Sequence, residues 1–470
     1  MREKKYLIKN IGFLTISQFG TKILSFLLVP LYTNVLTTAE YGTYDLYAST
    51  VTLLVPILTL NMADSLLRFP LDKSRNRKEI FMIGMKYFLL SAIIVFVLTG
   101  INGVCNIASV LKQYALLFIL LFVVTSINGM IVNFARGIER IKEAAISGVV
   151  STFVIIILNV IFLIPLKLGI IGYFFANILG VAVQSIYLFI SSKLWQYVRI
   201  HHLNKGLERE MAEYSKPLMI NGISWWVSSS SDRYIVTFFR GIAENGIYAV
   251  GYKIPSILSV FQTIFGQAWT ISAVLDFDAE DKKGFFSDMY KAYSACMVIV
   301  CSFLIVFTKI LARLLYAKEF YEAWKYVPFL LIAVVFGALS GYIGGIFAAV
   351  KDTKVFAKTS IIGAFANVIM NCITIMMVGT IGAAVSTAVS YIIVWILRLR
   401  CVKRYIRLKL NIKRDVATYI ILCIQSLLLF LIDFNSLLYT LEGFLLICVI
   451  ASYHNELKQI LSFTINRGDE

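Results

Sequence analysis

Long apolar runs alternate along this chain with short breaks rich in charged and turn-forming residues, and the lengths of the runs set the architecture. Stretches of about 18 to 25 apolar residues match a hydrocarbon core roughly 30 Å thick, crossed at 1.5 Å per residue. Read run by run, the spans fall at 11–31, 43–66, 80–104, 113–134, 145–165, 168–190 and 217–239, then at 246–275, 290–311, 324–350, 356–378, 381–397, 416–431 and 436–452. Lipid offers no water to satisfy backbone N–H and C=O groups, so each run must be a helix. The pattern predicts an all-α, polytopic membrane protein of about 14 transmembrane helices.

Composition agrees with the pattern. The chain has 470 residues, 59% hydrophobic and only 15% charged, with a mean hydropathy of +0.80. A water-soluble domain could not cover so much apolar surface. The basic start from Met1 to Lys9 followed by an apolar run has the outline of a secretory signal. The run is too long, carries Lys22 and lacks a small-x-small cleavage site, so it reads as a retained first helix.

The formal net charge of +17 raises nucleic-acid binding, and the placement of the charge excludes it. With a cytoplasmic N-terminus, three quarters of the 44 Lys and Arg residues fall in inner-side segments. That asymmetry puts both termini on the cytoplasmic side of an inner membrane and makes the charge an orientation signal with attraction to anionic headgroups. Seven cysteines show no CxxC pair, and His201, His202 and His454 lie in inner-side loop or tail, too few for a metal centre. No phosphate-binding glycine loop and no nucleophile elbow occurs.

Two echoes divide the chain. Ala39-Glu40-Tyr41-Gly42-Thr43-Tyr44 recurs as Ala243-Glu244-Asn245-Gly246-Ile247-Tyr248. Asn159 followed by Gly169-Ile170-Ile171-Gly172 recurs as Asn371 followed by Gly379-Thr380-Ile381-Gly382. An even number of helices separates the copies, so the repeats are parallel. The expected organisation is an N-lobe of six helices at 1–192, a basic cytoplasmic linker at 193–216, a C-lobe of six helices at 217–400, and two further helices with a cytoplasmic tail at 401–470.

A charge in mid-membrane costs about 2.5 to 3.5 kcal/mol on insertion scales, so such residues belong in an interior or a watery lumen. Lys22 shares a polar stripe with Thr15, Gln18 and Ser25, which suits a lumen where it meets an anion; the competing reading is snorkelling or a structural pair. Helix seven carries Asn221, Ser224, Ser228 and Ser231 and then Asp232-Arg233, either substrate contacts or a buried pair fixing one helix on another. Lys253 stands beside Pro255 on helix eight, and Asp64 and Arg68 close helix two one turn apart, where they either pair with each other or serve function. Gln18, Trp225, Gln262 and Gln267 are candidate sugar contacts. Gly337, Gly341 and Gly345 form a doubled GxxxG on helix ten, read as close helix packing.

Ser25-Phe26-Leu27-Leu28-Val29-Pro30-Leu31 with Ala39-Glu40-Tyr41-Gly42, and Asp232-Arg233-Tyr234-Ile235 with Gly246-Ile247-Tyr248, resemble the polysaccharide transporter family of O-antigen and capsule repeat-unit flippases. That family belongs to the superfamily shared with multidrug and toxic-compound extruders. The resemblance implies two six-helix lobes about a cationic cavity, opening alternately inward and outward. It implies a cargo of undecaprenyl-diphosphate-linked oligosaccharide moved to the outer leaflet for O-antigen, capsule or exopolysaccharide biosynthesis, and partners in polysaccharide polymerase and chain-length machinery. On this reading Lys22, Arg233, Lys253, Gln18 and Arg68 contact substrate, and Asp64 and Asp232 are candidates for coupling to H+ or Na+, with no other cofactor. The chain is then a transporter rather than an enzyme. The alternatives are an ion-coupled multidrug antiporter on the same scaffold, which favours an anionic cavity, and a membrane-embedded glycan polymerase, which favours larger outer loops than these.

Overall fold

The computed structural model describes residues 20–458 apart from 23, 199–203, 276, 283 and 351. The described residues form helices and contain no strand. In chain order these are α1 (Val29–Val35), α2 (Thr38–Leu58), α3 (Met62–Arg68), α4 (Arg77–Cys105), α5 (Ser109–Lys112), α6 (Ala115–Gly137), α7 (Ile141–Leu163), α8 (Gly169–Ser191) and α9 (Lys205–Arg240). There follow α10 (Ile242–Gly251), α11 (Lys253–Leu275), α12 (Phe285–Val306), α13 (Thr308–Leu315), α14 (Val327–Ala349), α15 (Thr353–Val378), α16 (Ile381–Val402), α17 (Ile412–Leu431) and α18 (Ser436–Ser452).

Among the described residues nine helices are long and apolar enough to cross a membrane, and the bent pair α2 and α3 makes a tenth span. α18, the second part of α9, and α10 with α11 supply three more of the expected spans, and the first is described only from residue 20 onward. The protein is therefore a multi-pass, all-α membrane protein. It divides into two compact units, Met1–Ser230 and Ser231–Glu470, with the division inside α9.

Three helices differ from the pattern read in the sequence. The second span is not continuous: α2 ends at Leu58, and α3 leaves at 65° to it. Pro56 supplies no N–H, and Leu60 and Asn61 take left-handed conformations (φ 50° and 51°), with the Asn61 N–H reaching back to the Pro56 carbonyl at 2.8 Å. The eighth span begins earlier, at Ile242, and is interrupted at Tyr252 between Gly251 and Pro255. The seventh begins at Lys205 rather than Pro217. Residues 205–216 are mostly good helix formers, and Asn204 caps them, its Oδ1 accepting the Gly206 N–H at 2.9 Å. Met211 and Ala212 then bury against Met62, Leu66 and Phe134, while Arg75 pairs with Glu210 and Lys86 with Glu208. An apolar face gives this stretch packing that a free linker would lack.

In the first unit α7 and α8 form a tight hairpin, and α6 packs on α3, α4 and α8. In the second unit α15 and α16 form the matching hairpin, α14 is the central helix against α11, α12 and α16, and α17 and α18 pack on α12. The repeat is visible as geometry. Gly172 allows α8 to approach Phe162, where a Cβ would come within 2.9 Å; Gly382 allows α16 to approach Thr374, where a Cβ would come within 2.6 Å. Asn159 donates to the Ile155 carbonyl and Asn371 to the Asn367 side chain, each four residues back.

Candidate functional site

The densest cluster of predicted site residues lies at the start of the second unit. Asp232, only 2% exposed, accepts the Tyr248 hydroxyl at 2.5 Å and the Tyr252 hydroxyl at 2.7 Å on Oδ2. The two hydroxyls are 3.1 Å apart. The Arg233 guanidinium lies over the Tyr252 ring at 5.4 Å, so the neighbouring acid and base meet the same tyrosine, one at its hydroxyl and the other at its ring face. The interruption at Tyr252 sets Lys253 at the first position of α11, half-buried, its carbonyl accepting the Ser256 hydroxyl at 2.6 Å. Asp232, Arg233, Tyr248 and Tyr252 thus form one polar group, and Lys253 follows Tyr252 directly in the chain. Charge alone does not single out the two tyrosines; their i,i+4 spacing into a Gly-x-x-x-Pro break is the signal in the sequence that marks them.

The other candidates sit elsewhere along the chain. Lys22 is exposed on a helical segment, and Gln18 lies outside the described residues. Asp64 takes the Asn61 side-chain amide at 2.7 Å, which fastens the turn between α2 and α3. Among the described residues it forms no ion pair with Arg68, whose side chain is exposed. On helix seven Ser224 and Ser228 donate to the Ile220 and Ser224 carbonyls of their own helix. Trp225 is 68% exposed, whereas Trp226 is buried and donates its indole N–H to the Ser49 carbonyl at 2.9 Å. Gln262 is half-buried beside Gly337, and the Gln267 side chain is outside the described set.

Two cations that the linear pattern assigns to loops are buried inside the second unit. Arg398 is 4% exposed on α16; it donates to the Ser340 carbonyl and to the Thr359 and Ser360 hydroxyls, with its guanidinium over Phe356. Lys309 is 6% exposed on α13, donating to the Ile432 carbonyl at 3.1 Å with its ammonium 4.7 Å from the Trp324 ring centre. A linear reading of charge misses both, because each sits at a span margin in sequence.

A cavity of about 470 Å³ opens beside the second copy of the repeated motif, lined by Arg240, Glu244, Lys325, Tyr326 and Thr380 among others. Glu244 accepts Thr380 and Tyr326 there, and Arg240 caps the Ile375 carbonyl at 2.9 Å. The cavity has room for a sugar-sized group.

A family model described as polysaccharide biosynthesis protein matches residues 7–270, more than half of the chain. The chain belongs to this family. One relative, the probable low-salt glycan biosynthesis flippase Agl15 of Haloferax volcanii, is 22% identical over 209 residues. That match spans 43% of this chain and 43% of the relative, less than half the length of either. Among solved structures, the lipid II flippase MurJ in an inward closed conformation has a TM-score of 0.73 at 14% identity, covering 95% of this chain and 99% of the other. An inward-facing multidrug resistance transporter of the MATE family, in the MOP superfamily, has a TM-score of 0.63 at 14% identity, covering 83% and 95%. At such identity the likeness establishes the fold these proteins share.

Proposed function

We propose that this protein is a flippase that carries undecaprenyl-diphosphate-linked oligosaccharide repeat units from the inner to the outer leaflet of the cytoplasmic membrane by alternating access, in O-antigen, capsule or exopolysaccharide biosynthesis. The observation that carries the reading is the polysaccharide biosynthesis family match over residues 7–270. The fold shared with a lipid II flippase along 95% of the chain supports it. A diphosphate with a hydrophilic glycan needs fixed cations in apolar surroundings, and the second unit supplies Arg233, over the Tyr252 ring, and Lys253, the residue after that tyrosine. Lys22, Gln18 and Arg68 are the substrate-contact candidates of the first unit. Asp232, held by two tyrosine hydroxyls, is the carboxylate of this cluster available for H+ or Na+ coupling, with Asp64 the second candidate.

Gene deletion followed by mass spectrometry of lipid-linked intermediates tests the reading. Accumulation of one undecaprenyl-diphosphate oligosaccharide on the cytoplasmic leaflet is expected. Unchanged lipids with altered tolerance to organic cations would instead favour an antiporter, the reading that the multidrug-transporter fold also supports. The polymerase machinery is the expected downstream partner, and co-purification with it checks that assignment.

A further inference from the structure

The buried carboxylates of the second unit fall into two kinds. Asp232 accepts two tyrosine hydroxyls, Asp281 accepts the Phe286 and Ser287 N–H groups, and Asp415 and Glu456 accept Arg414. Glu442 does not fit. It is 0% exposed on α18, and among the described residues neither of its carboxyl oxygens has a hydrogen-bond partner.

Its surroundings are polar, and the Gln425 amide lies close enough to act on it, yet among the described residues no donor reaches either carboxyl oxygen with full hydrogen-bond geometry. Gln425 on α17 spends its amide oxygen on the Ser302 hydroxyl of α12 at 2.8 Å and directs its amide nitrogen to the Glu442 backbone carbonyl at 3.5 Å. Tyr439, one turn before Glu442 on α18, has a buried hydroxyl that also lacks a partner among the described residues. Lys309 on α13 acts on Glu442 electrostatically, but the Ile432 carbonyl and the Trp324 ring hold its ammonium, and among the described residues the two form no ion pair. Arg313 on α13 and Asp433, between α17 and α18, complete the charged groups acting on Tyr439 and Lys309.

An ionised carboxylate buried without a well-placed donor loses its hydration and recovers only part of it from a distant cation and an amide, so such a group takes up a proton instead. A neutral carboxyl group would leave Lys309 satisfied by the partners it already has. We propose that Glu442 is a proton-binding site, a carboxyl group that holds one proton among α12, α17 and α18 and that, on giving the proton to water, takes Lys309 as its counter-charge. The site lies apart from Asp64 and Asp232 in the chain and does not rest on the flippase reading.

The test uses the full-length protein in lipid nanodiscs and a hydrophobic carbodiimide, which reacts with protonated carboxyls in apolar surroundings, with modified peptides located by mass spectrometry. Glu442 should be labelled at neutral pH, with labelling lost as the pH rises. Lys309→Met should increase labelling at the same pH, because the cation that favours the ionised form is gone. Infrared difference spectra should show a protonated carboxyl stretch that Glu442→Gln removes; if that variant does not fold, the wild-type labelling profile decides. An unlabelled Glu442 with only ionised carboxylate bands at neutral pH would overturn the proposal. Protection of Glu442 by sodium at fixed pH would overturn it in favour of a metal-cation site.

Discussion

The three glycines of the doubled GxxxG on α14 look equivalent in the sequence, yet two of them should behave in opposite ways when replaced by alanine. A Cβ at Gly345 would stand 2.6 Å from Nε1 and 2.7 Å from Cδ1 of Trp269. The indole cannot retreat: it is 3% exposed, stacked on Tyr342 at 3.9 Å and bonded through Nε1 to the Tyr342 carbonyl at 2.8 Å. Overpacking of this kind costs about 1–3 kcal/mol, and displacing the indole leaves a buried N–H unpaired for about 1–3 kcal/mol more. At Gly341 a Cβ would meet nothing within 4 Å. Alanine there gains up to about 1 kcal/mol of helix propensity, a term that shrinks in a micelle because helices persist in the unfolded state. Thermal unfolding in detergent, followed by the retained monodisperse fraction, should therefore drop for Gly345→Ala by about 2–4 °C per kcal/mol and stay level or rise for Gly341→Ala. Equal shifts in the two variants would refute the packing argument.

Removing the box that starts α2 by Thr37→Ala, where Thr37 and Glu40 bond reciprocally, should cost about 0.5–2 kcal/mol, read as a lowered unfolding midpoint. Charge reversal by Lys22→Glu should abolish flipping of the lipid-linked cargo with normal membrane insertion; undiminished flipping removes Lys22 from the diphosphate site. In the turn after α3, hydrogen bonding by Ser74 and then Arg75 holds the Asp72 carboxyl below its ordinary range, and Arg75 does the same for Glu210 at the start of α9. Both groups are depressed in the folded state, so their stabilising contribution is present above the ordinary carboxylate pKa of about 4 and is lost as the pH falls below it. The midpoints of wild type and Arg75→Ala should therefore converge on acidification, and a constant gap between them would contradict this linkage.

Hydropathy made the number of spans legible because hydrophobic length is a property of the linear chain. The breaks at Leu60–Asn61 and Tyr252 were not, since a proline announces a lost hydrogen bond without saying which residue will take the left-handed or non-helical conformation. For the site, Asp232, Arg233 and Lys253 could be found as charges in apolar runs. Tyr248 and Tyr252 could not be told apart by composition from the many tyrosines that anchor helices at interfaces. Arg398 and Lys309 stood in plain sight yet counted as loop charges, because only tertiary packing shows that Ser340, Thr359, Ser360 and Ile432 supply their acceptors.

The repeat separates what the fold requires from what it does not. Glu40 lies against Gly169, and Glu244 bonds Thr380 beside Gly379; both glycines have positive φ, 55° and 75°. Two copies that solve the same helix-start problem with the same parts are accounted for by folding alone. At the offset of the AExGxY motif, however, Asp232, Arg233, Tyr252 and Lys253 correspond to Leu28, Val29, Ala48 and Ser49, while Lys22 corresponds to Trp226. The first unit is built at those positions from a fully buried Val29 and from a Ser49 carbonyl that anchors Trp226. Charge at these positions is therefore no requirement of the duplicated scaffold. Where one copy of a structure carries ions that the other replaces with apolar or small residues and still packs, the ions are there for something the fold does not need, and the Asp232–Arg233–Lys253 group is the first place to look for it.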